Sequence, residues 1–248
     1  MQPWKYPVPP ILYKFLSPKR FHVLPECRVR FSQRTAFDDE HELRPEYEIF
    51  GTGIEIWRYA TSVGFPLGIP TLGIPGDVHA QYLADSPRFQ ETALTNLKIP
   101  VIDELGVFCL TETSDCDQMW MEYADKRTGF VIGFATTHGG FQLLKGRGSL
   151  GKVSYSDEPF GSALAGVLDN SGAEAMFRKR MKYAYENEWR AIRLLARLER
   201  GADDVFFSPF DPASISEIII QQDCVVKTEL RRLLSADSRY QHVKMRTK

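Results

Sequence analysis

The chain has 248 residues, 43% of them apolar and 25% charged, with a net charge of −1. That is ordinary globular usage, which excludes a disordered or collagen-like polymer. At 28.3 kDa the length suits one large domain or two small ones. No apolar run reaches the roughly 18–20 residues of a membrane span, and the opening residues lack the apolar core of a secretory signal. Cys27, Cys109, Cys116 and Cys224 form no CxxC pair, so no disulfide framework is expected and a cytoplasmic location fits.

Charge is spread unevenly. Residues 36–125 carry 17 acidic and 4 basic side chains, which leaves 27 basic and 15 acidic for the flanks. Such blocks either steer a polyanion toward the flanks or neutralise one another. Mutual neutralisation is the expectation for a compact body.

In chain order, Pro3, Pro7, Pro9 and Pro10 predict an extended arm. Residues 11–15 read as a short strand, and residues 28–32 alternate polar and apolar as a half-buried strand does. An acidic turn, Phe37-Asp38-Asp39-Glu40, follows. Residues 64–76 repeat the tetrapeptide LGIP, and their Gly and Pro content predicts a loop. The expected organisation is one domain, 1–248, with a Gly/Pro-rich helical or loop insertion over residues 50–100. Residues 107–110 predict a buried strand, residues 119–124 a short helix capped by Asp115 or Asp117, and Gly129 its end. Residues 130–134 and 152–155 read as two further strands. Ser171-Gly172-Ala173-Glu174 matches a capping box and predicts a helix over 172–186. Its buried stripe would be Phe177, Met181, Ala184 and Tyr185, with Arg178, Lys179, Arg180 and Lys182 on the wetter faces. From 188 to 200, Trp189, Ile192 and Leu195 suit a helix or a strand equally. Residues 214–220 form a clear strand, and 228–234 a terminal helix. Strands and helices do not alternate strictly, so the predicted fold class is α+β, with a central mixed or split β-sheet flanked by helices.

Several chemical signatures are absent: a glycine-rich phosphate loop, GxGxxG, HExxH and GxSxG. The five histidines are scattered singly, so no metal site is predicted, and Cys109 reads as a packed core residue. The pair Glu186 and Glu188 stands out. In an extended segment, residues two apart share a face. One carboxylate can then stabilise a cationic sugar centre while the other accepts a proton. The alternative is a solvated turn in which Glu188 and Arg190 form a surface ion pair.

Leu12-Tyr13-Lys14-Phe15, Phe31-Ser32 with Phe37-Asp38-Asp39, and Phe108-Cys109-Leu110-Thr111 are followed by Met119-Trp120-Met121-Glu122-Tyr123-Ala124 and residues 129–134. Val153-Ser154-Tyr155 and Tyr185-Glu186-Asn187-Glu188-Trp189-Arg190 complete the series. In order and spacing it resembles a bacterial domain-of-unknown-function family, number 2971. The family's patterns are an LYKYR-like start, FSxPxxFNDPFE, MWxxYAxxxxGxxIGF and YExEWR. Residues 37–42 depart from the second of these.

The layout is in turn similar to that of mono-ADP-ribosyltransferases. That resemblance implies Glu188 as the essential catalytic carboxylate and Glu186 as the group that orients or deprotonates the acceptor. It implies Ser32 as a strand serine in the cofactor site, Tyr13 or Tyr123 stacked on nicotinamide, and Lys14 or Arg190 paired with pyrophosphate. NAD would be the substrate and no metal is implied. The protein would be a toxin or phage-defence effector that modifies a protein or nucleic acid, with a partner protein in a defence or toxin–antitoxin locus. A non-catalytic interaction module is the second reading; its acidic centre and basic flanks would dock a partner without a deep pocket. A third is a metal-dependent nuclease using Asp38, Asp39 and Glu40, where an acidic cluster holds magnesium.

Overall fold

The computed structural model describes residues 6–37, 43, 47–50, 52–62, 85–96, 102–138, 149–158, 160–163 and 176–248. Its strands begin with β1 (Ile11–Leu16), β2 (Arg28–Phe31), β3 (Tyr47–Phe50), β4 (Leu105–Thr111) and β5 (Phe130–Ala135). There follow β6 (Ser149–Lys152), β7 (Ser154–Tyr155), β8 (Phe160–Ala163), β9 (Arg178–Lys179) and β10 (Glu188–Leu194). The last are β11 (Glu199–Arg200), β12 (Phe206–Pro209), β13 (Ile215–Ile220) and β14 (Lys244–Thr247). The α-helices are α1 (Val23–Glu26), α2 (Gly53–Ser62), α3 (Pro87–Asn96), α4 (Asp117–Glu122) and α5 (Lys227–Ala236).

Seven strands form one mixed sheet in the order β14-β13-β5-β1-β4-β10-β6. Only β14 runs parallel to its neighbour, β13. A smaller sheet, β11-β12-β2, and the pairs β3-β8 and β7-β9 complete the α+β fold. On one side of the large sheet Leu12, Phe108, Ile132, Phe134, Trp189 and Ile218 share a core with Leu230 of α5. On the other, Phe15, Val131 and Ile219 pack against Met119 and Trp120 of α4. The Trp120 ring meets Phe15 edge-on, with centroids 5.3 Å apart, and its Nε1–H donates to the Ser114 carbonyl at 2.9 Å. Each such fully buried side chain contributes about 1.5–3 kcal/mol. At Gly129 an added Cβ would lie 2.1 Å from the Leu16 carbonyl oxygen, so only glycine lets the chain turn into β5 there.

Several local expectations are corrected. Helix α4 starts at Asp117 after Cys116, with no side-chain cap; Asp117 sits in the first turn, favourable for the helix dipole, and pairs with Arg127 at 3.3 Å. The strand expected at 152–155 is broken at Val153, whose N–H donates to the Glu188 carbonyl at 2.9 Å. Of the helix expected over 172–186, the described part from 176 onward is instead β9 followed by a 3-10 helix, Met181–Glu186; residues 171–175, with the capping box, lie outside the described residues. The physical reason is Lys179. Its backbone joins the β7-β9 ladder opposite Tyr155, and its ammonium is held by two carboxylates, both of which override helical periodicity. Residues 188–194 are a strand buried on both faces, with Trp189 in the central core and Ile192 in the cluster with Val107 and Met176. Such a strand has no alternation to read.

The charge blocks neutralise one another at several points: Arg34 pairs with Asp103 at 3.1 Å, Lys152 with Glu112 at 2.7 Å, and Lys248 with Asp115 at 2.8 Å. Asp38, Asp39 and Glu40 of the acidic turn and the LGIP repeat at 64–76 lie outside the described residues.

One irregularity of the sheet positions the site. Strand β1 pairs with β5 at six positions but with β4 only at Tyr13↔Thr111. Elsewhere β4 finds other partners. Val107 exchanges two backbone hydrogen bonds with Ser32, at 2.8 and 2.9 Å, and the Lys14 ammonium donates to the Cys109 carbonyl at 2.8 Å. The sheet therefore parts between β1 and β4.

Candidate functional site

Glu186 ends the 3-10 helix, Asn187 takes a left-handed conformation (φ 43°, ψ 50°), and Glu188 opens β10. The two carboxylates are thus brought together by a left-handed corner rather than by the extended alternation expected, and asparagine is a residue that tolerates this backbone. Both are buried, at 4% and 2% exposure. The Lys179 ammonium lies between them, 2.7 Å from Glu186 Oε2 and 3.3 Å from Glu188 Oε2. Arg190 is fully buried. Its Nε–H donates to Glu188 Oε1 at 2.8 Å and its Nη1 to the Met176 carbonyl at 2.7 Å. The Tyr123 hydroxyl donates to Glu186 Oε1 at 2.7 Å, and the Glu188 N–H donates to the Tyr155 hydroxyl oxygen at 2.7 Å. The surface ion pair considered for Glu188 and Arg190 is instead an interior one, because β10 is covered on both faces.

This network separates the two carboxylates electrostatically. Burial alone would raise the pKa of Glu188, but the charges of Arg190 and Lys179 and the Arg190 hydrogen bond outweigh it and hold the group well below the usual carboxylate range. Glu186 moves the other way: burial and then the Glu188 charge raise it, against the partial opposition of Lys179. The Tyr123 hydroxyl is pushed up by burial and by Glu186, and the Cys109 thiol by burial and then Glu188, so both keep their protons. Two neighbouring acids displaced in opposite directions are the arrangement that divides acid–base roles.

A cavity of about 160 Å³ lies against this pair, with Tyr13, Lys14, Ser32, Tyr123, Glu186 and Glu188 on its wall. A second, of about 290 Å³, shares Lys14, Phe15, Arg30, Ser32 and Tyr123 with the first. The structure therefore gathers six of the seven residues singled out in the sequence. Arg190 is the exception. It stands behind Glu188, its guanidinium committed to that carboxylate and to Met176, so its assignment to a pyrophosphate is corrected. The Tyr13 hydroxyl donates to Glu217 Oε1 at 3.1 Å, which fixes its ring. Sequence reasoning missed Lys179, assigned to a wet helix face, and Arg30, whose only signal was its outward position between Val29 and Phe31. Cys109 lines the smaller cavity and is not solely a core residue.

Asp38, Asp39 and Glu40, the residues of the nuclease reading, lie outside the described residues. Among the described residues no three His, Cys, Asp or Glu side chains gather as a metal site, and no helix is long and apolar enough to cross a membrane. No curated protein and no solved structure matches the chain. Residues 119–191, which include Tyr123, Lys179, Glu186, Glu188 and Arg190, match the family model described as a protein of unknown function (DUF2971), and this supports that family for the part of the chain that holds the carboxylate pair.

Proposed function

We propose that the protein is an NAD-dependent mono-ADP-ribosyltransferase that transfers ADP-ribose to a macromolecular acceptor. The observation that carries the reading is the convergence of Glu186 and Glu188, with oppositely displaced pKa values, on a cavity walled by Tyr13, Lys14, Ser32 and Tyr123. The residues fit the substrate: aromatic rings for a flat base, carboxylates for a developing cation, and basic groups for phosphates. Cavities of about 290 and 160 Å³ that share a wall are of the order of small-ligand sites, roughly 300–1,000 Å³. A docking module without a deep pocket fits this arrangement less well.

NAD supplies a ribose carbon with nicotinamide as its leaving group. When that bond breaks, its electron pair departs with nicotinamide and positive charge grows on the ribose. Glu188, kept ionised by Arg190 and Lys179, stabilises that charge through a preorganised field. Glu186, ionised above its raised pKa, takes the proton from the attacking O–H or N–H of the acceptor. Tyr123 holds Glu186 in place through its hydroxyl, and Ser32 is fixed by its two bonds to Val107.

The test is nicotinamide release and label transfer from labelled NAD in a cell lysate, for the unmodified protein, Glu188→Gln and Glu186→Gln. Glutamine at 188 still offers Arg190 a carbonyl acceptor, and circular dichroism verifies its fold. Turnover is expected to fall at least about 100-fold in Glu188→Gln. In Glu186→Gln the acidic limb of the pH profile should disappear. No turnover by the unmodified protein, or equal turnover by a folded Glu188→Gln, sinks the reading.

A further inference from the structure

The larger cavity gathers basic side chains, two of which no acidic group answers among the described residues. Arg20, His22, Arg30 and Lys14 all lie on its wall. The Arg30 Nε is buried and has no hydrogen-bond partner, and neither Arg20 nor Arg30 has an acidic partner among the described residues. The two guanidiniums are close enough for Arg20 to oppose the charge of Arg30, which burial already disfavours. Arginine nevertheless stays protonated, so the repulsion persists in the folded chain. The ring of His22 donates from Nδ1 to the Lys19 carbonyl at 3.1 Å, which leaves Nε2 facing outward from that bond. Lys14 has one proton on Cys109 O and two remaining, and it lies on the wall of both cavities. A half-buried pair of like charges with an orphaned donor is costly unless an anion completes it, and the fork of an arginine matches phosphate oxygens.

We propose that the larger cavity is a phosphate subsite, in which Arg20 and Arg30 clamp the phosphate of a small nucleotide-like ligand and Lys14 bridges it to the carboxylate pocket. The subsite rests on the transferase reading only for the direction in which the ligand lies; anion binding stands on the unmatched cations. The apolar remainder of the wall, including Val29, Phe108 and Phe207, excludes water from the clamp and gives a base or ribose a surface to lie on.

The experiment is isothermal titration calorimetry with inorganic pyrophosphate, ADP and a short single-stranded oligonucleotide, at two salt concentrations. It compares the unmodified protein with Arg20→Gln, Arg30→Gln, Arg30→Lys and Arg246→Ala. Pyrophosphate and ADP are expected to bind with salt-dependent affinity, weakened at least tenfold by Arg20→Gln or Arg30→Gln, partly restored in Arg30→Lys and unchanged in Arg246→Ala. Arg30→Gln should unfold no earlier than the unmodified protein, because it relieves repulsion, so lost binding will not reflect lost folding. Absence of pyrophosphate and ADP binding, or binding indifferent to Arg20 and Arg30, overturns the proposal. Arginine-dependent binding of the oligonucleotide alone overturns it in favour of a polynucleotide. Arginine-dependent pyrophosphate binding without NAD turnover keeps the subsite and sinks the transferase reading; turnover indifferent to both arginines does the reverse.

Discussion

The two cavities share a wall and differ in how their charges are resolved. At the smaller one, Glu186, Glu188 and Lys179 on the wall and Arg190 behind it balance one another through direct contacts of 2.7–3.3 Å. In the larger one, Arg20 and Arg30 share the wall, and each adds to the other's unfavourable charge. A balanced buried network is finished within the protein, and removing one member exposes the others. An unbalanced cluster stores repulsion that a ligand can relieve. The same side-chain types therefore carry opposite expectations for mutation.

Glu188→Ala should show the contrast most strongly. It strands Arg190 in the interior without a counter-charge and leaves Lys179 to Glu186, a situation that costs about 3–5 kcal/mol, read as a shift of the urea midpoint. Second in size is a pH effect with opposite signs for the two acids. The native pKa of Glu186 is raised above its unfolded value near 4.5, so the native state binds more protons in the window between them. Stability should fall with rising pH across that window, by at most about 1.4 kcal/mol per pH unit, and Glu186→Gln should flatten the fall. Glu188 has a depressed native pKa; its contribution is complete above pH 4.5 and is lost as the pH drops through the native value. Urea titrations between pH 3 and 8 separate the two. Third, Arg246→Ala breaks a half-exposed pair with Glu217, 2.7 Å long, and should cost under about 1 kcal/mol. The smallest effect belongs to Arg30→Gln, within about 0.5 kcal/mol or stabilising. A large loss there would mean that Arg30 has a structural partner and would erase the contrast between the cavities.

What could be read from the sequence follows the same physics. Strands β1, β2, β4, β5 and β13 and helix α5 announced themselves through local pattern, because their surroundings are uniform along each face. The 178–186 segment misled, since its basic residues look like a solvated helix face until Lys179 is seen between two distant-looking carboxylates. Glu186 and Glu188 were found for a reason only half right: they converge, but through the left-handed Asn187. Arg20 gave no signal and Arg30 only its outward place in β2, because an unpaired cation is recognised only from its neighbours in space. The 3-10 helix Met181–Glu186 has no apolar period of its own to betray it.

The single backbone pairing between β1 and β4, reinforced only by the Lys14 side chain on Cys109 O among the contacts described above, has a consequence for how the sheet holds together. It divides the seven strands into two hydrogen-bonded ladders, β14-β13-β5-β1 and β4-β10-β6, tied at Tyr13↔Thr111. Each ladder can open or close as a cooperative unit of its own, with amide-exchange protection that need not change in step with the other. Lys14 belongs to one ladder and Glu188 to the other. A molecule that engages both becomes a rung between them, and by mass action it makes one body of two.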